Sequence, residues 1–366
     1  MTVEIEVAPH EVPAKSIEDI AREATPKIAI LGVGGGGSNM VSWMNKKVIG
    51  ARTIALNSDA QHLTMSKADQ RVLLGYSVCG GLGCGGFPEQ GVKAAEESIH
   101  AIEQAIGDSS LVFATAALGG GTGTGAAPVI AKVARELGAL TIGVVTIPFK
   151  VEGTRLIKAK QGLSSLVDVC DSVIVIDNNK LREVAGDLPV REAFAVANQR
   201  VTDFINNITE ALSVPGIMNL DFADIKAIMM GGGICAVGFG EGSGTTKVED
   251  AVRKALDNQL LNVEDISVAR GALVHIEGGQ DMTLEDINMA GELVLDSVNS
   301  DARVVWGSKI NSALDGKIRA TVVLAGVESP FLKVEKKSVT VVKKTPAKAP
   351  KKASKKAKIS TKKSVA

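Results

Sequence analysis

The sequence predicts an α/β fold. It should contain a Rossmann-like parallel sheet, a long central helix and a second, smaller α/β domain with a four-stranded sheet. Three observations point there. Short continuous apolar runs alternate with stretches of helical periodicity, the pattern of a parallel sheet covered on both faces. Two glycine-rich loops, at 32–39 and 119–125, each follow an apolar run and precede a helix. The 366 residues include 39 glycines and only 3% aromatics, which indicates tight turns and an aliphatic core, not an aromatic-rich sandwich.

Residues 1–26 read as a flexible extension with one short helix, marked by a capping box that starts at Ser16. KIAIL (27–31) is the first buried strand, followed by the first glycine loop and a helix near 38–47. TIALN (53–57) and RVLLG (71–75) are strands. Pro88 suits a first helical position, and Val92, Ala95, Ile99, Ile102 and Ile106 carry a helical stripe through 89–106. LVFATAAL (111–118) is a strand, then come the second glycine loop and a helix to Leu137 closed by Gly138. LTIGVVTIP, a helix near 153–168 and SVIVID (172–177) continue the alternation. This first domain spans 27–190, and the central helix spans 191–213, ending before Pro215.

The second domain, 214–327, carries GICAVGFGEG, RGALVHIEGG, ARVVWGSKI and RATVVLAGV as four strands, with helices near 246–258 and 283–298. The uncharged stretch 111–131 is long enough to span a bilayer, but its five glycines and Pro128 make it strand, loop and helix. The start has no basic-then-apolar leader, so a cytoplasmic protein is expected. Four cysteines exclude a disulfide scaffold, and Cys79 and Cys84 lack zinc spacing. His10, His62, His100 and His275 show no ligand spacing either.

The formal net charge of zero conceals a division. Residues 331–366 hold 13 lysines and one glutamate, against 28 basic and 40 acidic residues in the rest. The 328–366 tail has too few large apolar groups to fold alone and is read as disordered.

In the first loop Gly32, Gly34 and Gly37 form G-x-G-x-x-G, with Asp59 following the second strand as a dinucleotide fold would have it. In the second, GGGTGTG offers backbone N–H groups and the Thr122 and Thr124 hydroxyls as an anion cradle. A dinucleotide fold needs one such loop; two suit a compact di- or triphosphate. Neither loop is a P-loop, and neither holds a lysine.

GGGTGTG in this position resembles the signature of the tubulin/FtsZ superfamily. GVGGGGSN (32–39), NSDAQHL (57–63), GLGCGGFPE (81–89), PFKVEG (148–153) and NLDFAD (219–224) follow in the family's order. The resemblance covers about 27–327 and is nearest to the cell-division GTPases of archaeal FtsZ type.

It implies GTP and GDP as ligands, with Mg²⁺ bridging the β- and γ-phosphates. Gly34, Gly35, Gly36, Gly37, Ser38 and Asn39 would wrap the phosphates and the ribose edge. Gly120, Gly121, Thr122, Gly123, Thr124 and Gly125 would hold the β- and γ-phosphates. Glu152 would bind the ribose, and Arg155 would stand in for the family's arginine, whose place Leu156 takes. Phe194 and Asn198, one helical turn apart, would stack on guanine and read its edge, with Asn178 beside them. Asn198 replaces the family's common aspartate.

Asn219, Asp221 and Asp224 would enter the nucleotide pocket of the next subunit and polarise the attacking water, so that hydrolysis requires head-to-tail filaments. Read without the resemblance, Asp221 is an N-cap and Asp224 a helix-start acid. Cys84, where the family has alanine, is either redox-sensitive or a small filler. The implied setting is the division ring at mid-cell, with adaptor proteins as partners. The charge of the Lys-rich tail suits either an anionic membrane or nucleic acid, or a solvated bristle that spaces filaments or contacts the acidic body of neighbours. Two other function classes stand beside this one: a tubulin-like cytoskeletal GTPase for cell shape, and an NAD-dependent oxidoreductase.

Overall fold

The computed structural model describes residues 25–180, 186–213, 221–257, 263 and 265–332. The short helix expected at Ser16, Asn219 and the Lys-rich tail lie outside the described residues.

The strands are β1 (Ile28–Val33), β2 (Ala51–Asn57), β3 (Gln70–Leu73), β4 (Leu111–Ala117) and β5 (Leu140–Ile147), then β6 (Ser172–Asp177), β7 (Gly233–Ser243), β8 (Gly271–Gly278), β9 (Arg303–Ile310) and β10 (Lys317–Ala325). They form one ten-stranded sheet in the order β3-β2-β1-β4-β5-β6-β7-β10-β8-β9. β1 to β6 are parallel throughout. The four strands expected of the second domain are β7 to β10, with β10 antiparallel to β7 and β8 and β9 parallel to β8. They are not a separate sheet. β7 joins β6 through a three-residue parallel ladder, Ser172 to Ile174 against Gly233 to Cys235.

Both faces of the sheet are buried, and the side chains show it by their alternation. Ile28 and Ile30 enter one core, while Ala29, Leu31 and Val33 enter the other. The helices Pro88–Glu97, Ile99–Ile106, Thr122–Glu136 and Thr154–Val169 cover the second face. The helix Gly34–Met44 and the central helix Val190–Ser213 cover the first. There Phe204 meets Phe113 edge-on at 6.2 Å, a favourable arrangement of ring quadrupoles.

The central helix is tied to both halves of the sheet. Trp43 Nε1 donates to Gln199 Oε1 at 3.2 Å, and Asn206 Nδ2 to the Lys47 carbonyl at 3.1 Å. On the other side Glu210 pairs with Lys309 on β9, and Asn207 meets Thr321 on β10 at 2.9 Å.

Two helix boundaries differ from expectation. The helix expected near 38–47 begins at Gly34, inside the glycine loop. The stripe through 89–106 is two helices, because Ser98 leaves helical geometry at φ −104° and ψ 13°. Its Oγ accepts the Gly75 N–H at 2.9 Å, a tertiary bond that periodicity does not reveal.

Candidate nucleotide site

The helices Gly34–Met44 and Thr122–Glu136 follow β1 and β4, which are neighbours in the sheet, so their N-termini stand side by side. Neither has an acidic residue in its first turn, and neither N-cap makes a side-chain hydrogen bond. Two sets of orphan N–H groups and two positive dipole ends therefore converge at the carboxyl ends of the strands, an arrangement that suits a polyanion.

Most of the loop glycines serve close packing. A Cβ on Gly34 would lie 2.6 Å from Gly123 N, and one on Gly125 would lie 2.0 Å from the Pro88 carbonyl oxygen. Two differ. A Cβ on Gly120 would meet nothing within 4 Å, and one on Gly35 would meet only His62 Nε2 at 3.9 Å. Gly35 and Gly120 are half-buried and Asn39 is exposed, so these residues face the accessible part of the cradle. Ser38 Oγ is buried without a hydrogen-bond partner among the described residues.

The threonine hydroxyls of the second loop bond within the fold. Thr124 Oγ1 accepts the Gly119 N–H at 2.8 Å and shapes the loop's own backbone. Thr122 Oγ1 is 2.7 Å from Ser58 Oγ, which in turn lies 3.2 Å from Cys84 Sγ. Cys84 is buried against Gly121 and 3.4 Å from the Cys79 sulfur. Burial pushes the Cys79 thiol up to about 11. Nothing in the sequence singles out Ser58 or His62 beyond their place in the 57–63 segment. Asp59 caps the helix Ala60–Met65 by accepting the His62 N–H at 2.9 Å. It is thus engaged locally, where a dinucleotide fold would offer an acid to a ribose.

On the β5–β6 side, Glu152 uses both carboxylate oxygens. Oε1 accepts the Phe149 N–H at 2.9 Å, and Oε2 accepts from Arg155 at 3.0 Å. Phe149 stands edge-on to Phe194 at 6.3 Å, and Phe194 remains 43% exposed, an aromatic face open to a planar partner. Asn198 is half-buried on the same face of the central helix, and Asn178 is buried directly after β6.

Asp221 and Asp224 are elsewhere. Asp221 is the N-cap of the helix Phe222–Met229, and its Oδ1 accepts the Asp224 N–H at 2.7 Å. That helix leads into Gly233, which pairs with Ser172 at the start of β6. Its Phe222 and Lys226 line a cleft with Ser110 and Leu140, at the starts of β4 and β5. The two aspartates thus sit at the amino ends of the strands and the cradle at the carboxyl ends. The seven-residue β4 separates them by about 20 Å at ~3.3 Å per residue.

Comparison with known proteins decides what such a chain is. The tubulin/FtsZ family GTPase domain matches residues 27–186, and the FtsZ family C-terminal domain matches 233–328. Cell division protein FtsZ 2 of Methanocaldococcus jannaschii is 44% identical over 308 residues, 83% of this chain and 81% of its own. The chain belongs to the tubulin/FtsZ family. It is an FtsZ-family GTPase, and guanine nucleotide is its ligand.

Cell division protein FtsZ 1 of Archaeoglobus fulgidus is similarly close to this FtsZ-family chain, 45% identical over 316 residues and 86% of each chain. Among solved structures, an empty FtsZ dimer from M. jannaschii superposes with a TM-score of 0.78. It is 40% identical and covers 85% of this chain and 93% of its own. The ten-stranded sheet and the paired glycine loops are therefore those of the FtsZ fold. No described helix is long and apolar enough to cross a membrane.

Proposed function

We propose that this chain polymerises head to tail through the cell-division ring, each subunit's nucleotide being hydrolysed with help from the next. The observation that carries this reading is the separation of the two half-sites. The cradle and the Asp221–Asp224 turn lie at opposite ends of the same parallel strands, so only a second copy can bring them together. A subunit stacked along that direction offers its aspartates to its neighbour's cradle and leaves a free half-site at each end. Such heterologous contacts propagate into filaments. Met65, Leu82, Phe87 and Val151 stand exposed on the segments around the cradle, apolar surface suited to a protein contact. The solved FtsZ dimer of M. jannaschii supports self-association.

Each residue then has a role. The amides of Gly34 to Asn39 and of Gly120 to Gly125 receive the phosphates. Glu152, with Arg155 held against it, receives the ribose. Phe194 stacks on the base while Asn198 and Asn178 meet its edge, and an adenine would leave these amides mispaired. Asp221 and Asp224 of the adjoining subunit, with Asn219, orient the attacking water and draw on its proton. Bound Mg²⁺ would supply charge neutralisation at the β- and γ-phosphate oxygens. We divide the chain into 1–26, the nucleotide domain 27–190, the central helix 191–213, the assembly domain 214–327 and the tail 328–366.

Asp224→Ala is expected to bind GTP and assemble like the wild type while losing most of its turnover. Sedimentation and phosphate release measured on one sample check this; full turnover by that variant would remove Asp224 from the mechanism.

The setting that fits is the cytoplasm, at the division site. The 13 lysines of 331–366 favour an anionic surface, membrane or nucleic acid, at about 1 kcal/mol per lysine near an acidic membrane. A tail-deleted chain should co-sediment less with acidic vesicles or DNA, and equal co-sedimentation would end that part of the proposal.

A further inference from the structure

His62 has no ligand spacing in the sequence, yet the fold seats its ring at the rim of the cradle. Asn57 closes β2, and its Oδ1 accepts the Asp59 N–H at 3.3 Å. That bond sets the amide orientation, so that Asn57 Nδ2 faces His62 Nδ1 at 3.4 Å. An amide nitrogen can only donate. Nδ1 is therefore the accepting nitrogen, and the neutral ring carries its proton on Nε2. The backbone is fixed as well. Asp59 Oδ1 accepts the His62 N–H at 2.9 Å, and Ser66 Oγ donates to the His62 carbonyl at 2.9 Å.

The Nε2 end lies toward the phosphate loop. Among the described residues, and apart from Gly35's own chain neighbours and helix backbone, it is the one heavy atom within 4 Å of the point where a Cβ on Gly35 would sit. Gly35 opens onto the cradle, whereas Gly34, Gly36 and Gly37 abut Gly123, Ala117 and Thr115. The ring is half-buried and so keeps an accessible edge. Neither loop contains a lysine or arginine, so the cradle's donors are otherwise amides and hydroxyls.

We propose that His62 is a phosphate-contact residue. Its Nε2–H donates to a phosphate oxygen of the bound guanine nucleotide as that oxygen settles on the Gly35 and Gly36 amides. Asn57 is the positioning residue that selects the donating tautomer. The inference rests on the cradle being the nucleotide site and adds to it a side-chain donor from outside the two glycine loops.

The test is GDP affinity of the full chain, kept dilute enough to stay unassembled, for wild type, His62→Phe and His62→Gln. His62→Phe keeps the ring and removes the donor; it should bind GDP roughly tenfold more weakly, the loss of one hydrogen bond to a charged acceptor. His62→Gln keeps an N–H₂ donor and should stay near wild type. A merely structural role would instead lower the melting temperature of the nucleotide-free chain with either substitution. A second measurement on the unmutated protein guards against misfolding: the ¹⁵N signals of histidine should show Nε2 protonated in the free chain and shifted on saturation with GDP. Unchanged GDP affinity in His62→Phe, equal loss in His62→Gln, or an unmoved Nε2 signal would each overturn the role of His62. A wild type that fails to bind GDP would overturn the cradle reading itself.

Discussion

His275 lies on β8, buried, with Nδ1 3.9 Å from Glu277 Oε1. Burial holds its pKa below the ordinary 6.5, and the charge of Lys309 lowers it further, while Glu277 and Glu210 act the other way. The unfolded chain therefore takes up a proton that the folded chain resists. Its contribution to stability is complete above about pH 6.5 and is lost as the pH falls below that value. The melting temperature should drop on acidification below about pH 6.5, and less in His275→Gln than in the wild type. Thermal melts of both chains across that range check this. Such detail was not legible in the sequence, where the four histidines looked alike. Nor was the inward turn of Thr124, because a hydroxyl beside a glycine loop reads the same whether it serves a ligand or its own backbone. The glycines were legible, because a run of residues without Cβ between a strand and a helix lets backbone N–H groups approach an anion closely.

The helix Thr122–Glu136 shows how one element carries both packing and site. Gly125 is enclosed, 2.0 Å from the Pro88 carbonyl once a Cβ is added, whereas Gly120 faces open space. Gly125→Ala should therefore push this helix from the helix Pro88–Glu97, lowering both the melting temperature and GDP affinity. Gly120→Ala should melt like the wild type and lose affinity alone, because its methyl enters only the cradle. Thermal melts with and without GDP separate the two. At this scale the sequence was most readable where periodicity ran unbroken. β6 is the predicted SVIVID, and the described central helix, Val190–Ser213, lies where the helical stretch was expected. It was least readable where a distant partner decided the geometry. Ser98 breaks a continuous stripe because Gly75 reaches its hydroxyl. The helix Gly34–Met44 starts on glycines, which local propensity assigns to a loop.

Across the whole molecule the sheet is the organising device. Three ladder pairs between β6 and β7 make one surface of what the sequence presents as two domains, and the central helix is tied to both sides of that join. A pairing between residues about sixty apart leaves no local trace, so the continuity of the sheet was not predictable from pattern alone. Its consequence is functional. Because the strands are parallel, one end gathers helix N-termini for the phosphates and the other presents Asp221 and Asp224, in a fixed spatial relation. On the proposed mechanism a monomer holds both halves of the active site and can close neither. Hydrolysis should then depend on contact between subunits, and the most direct measurement is GTP turnover per subunit against protein concentration. The structure predicts near-zero turnover at high dilution and a steep rise once filaments form; turnover per subunit that is constant from high dilution upward would contradict it.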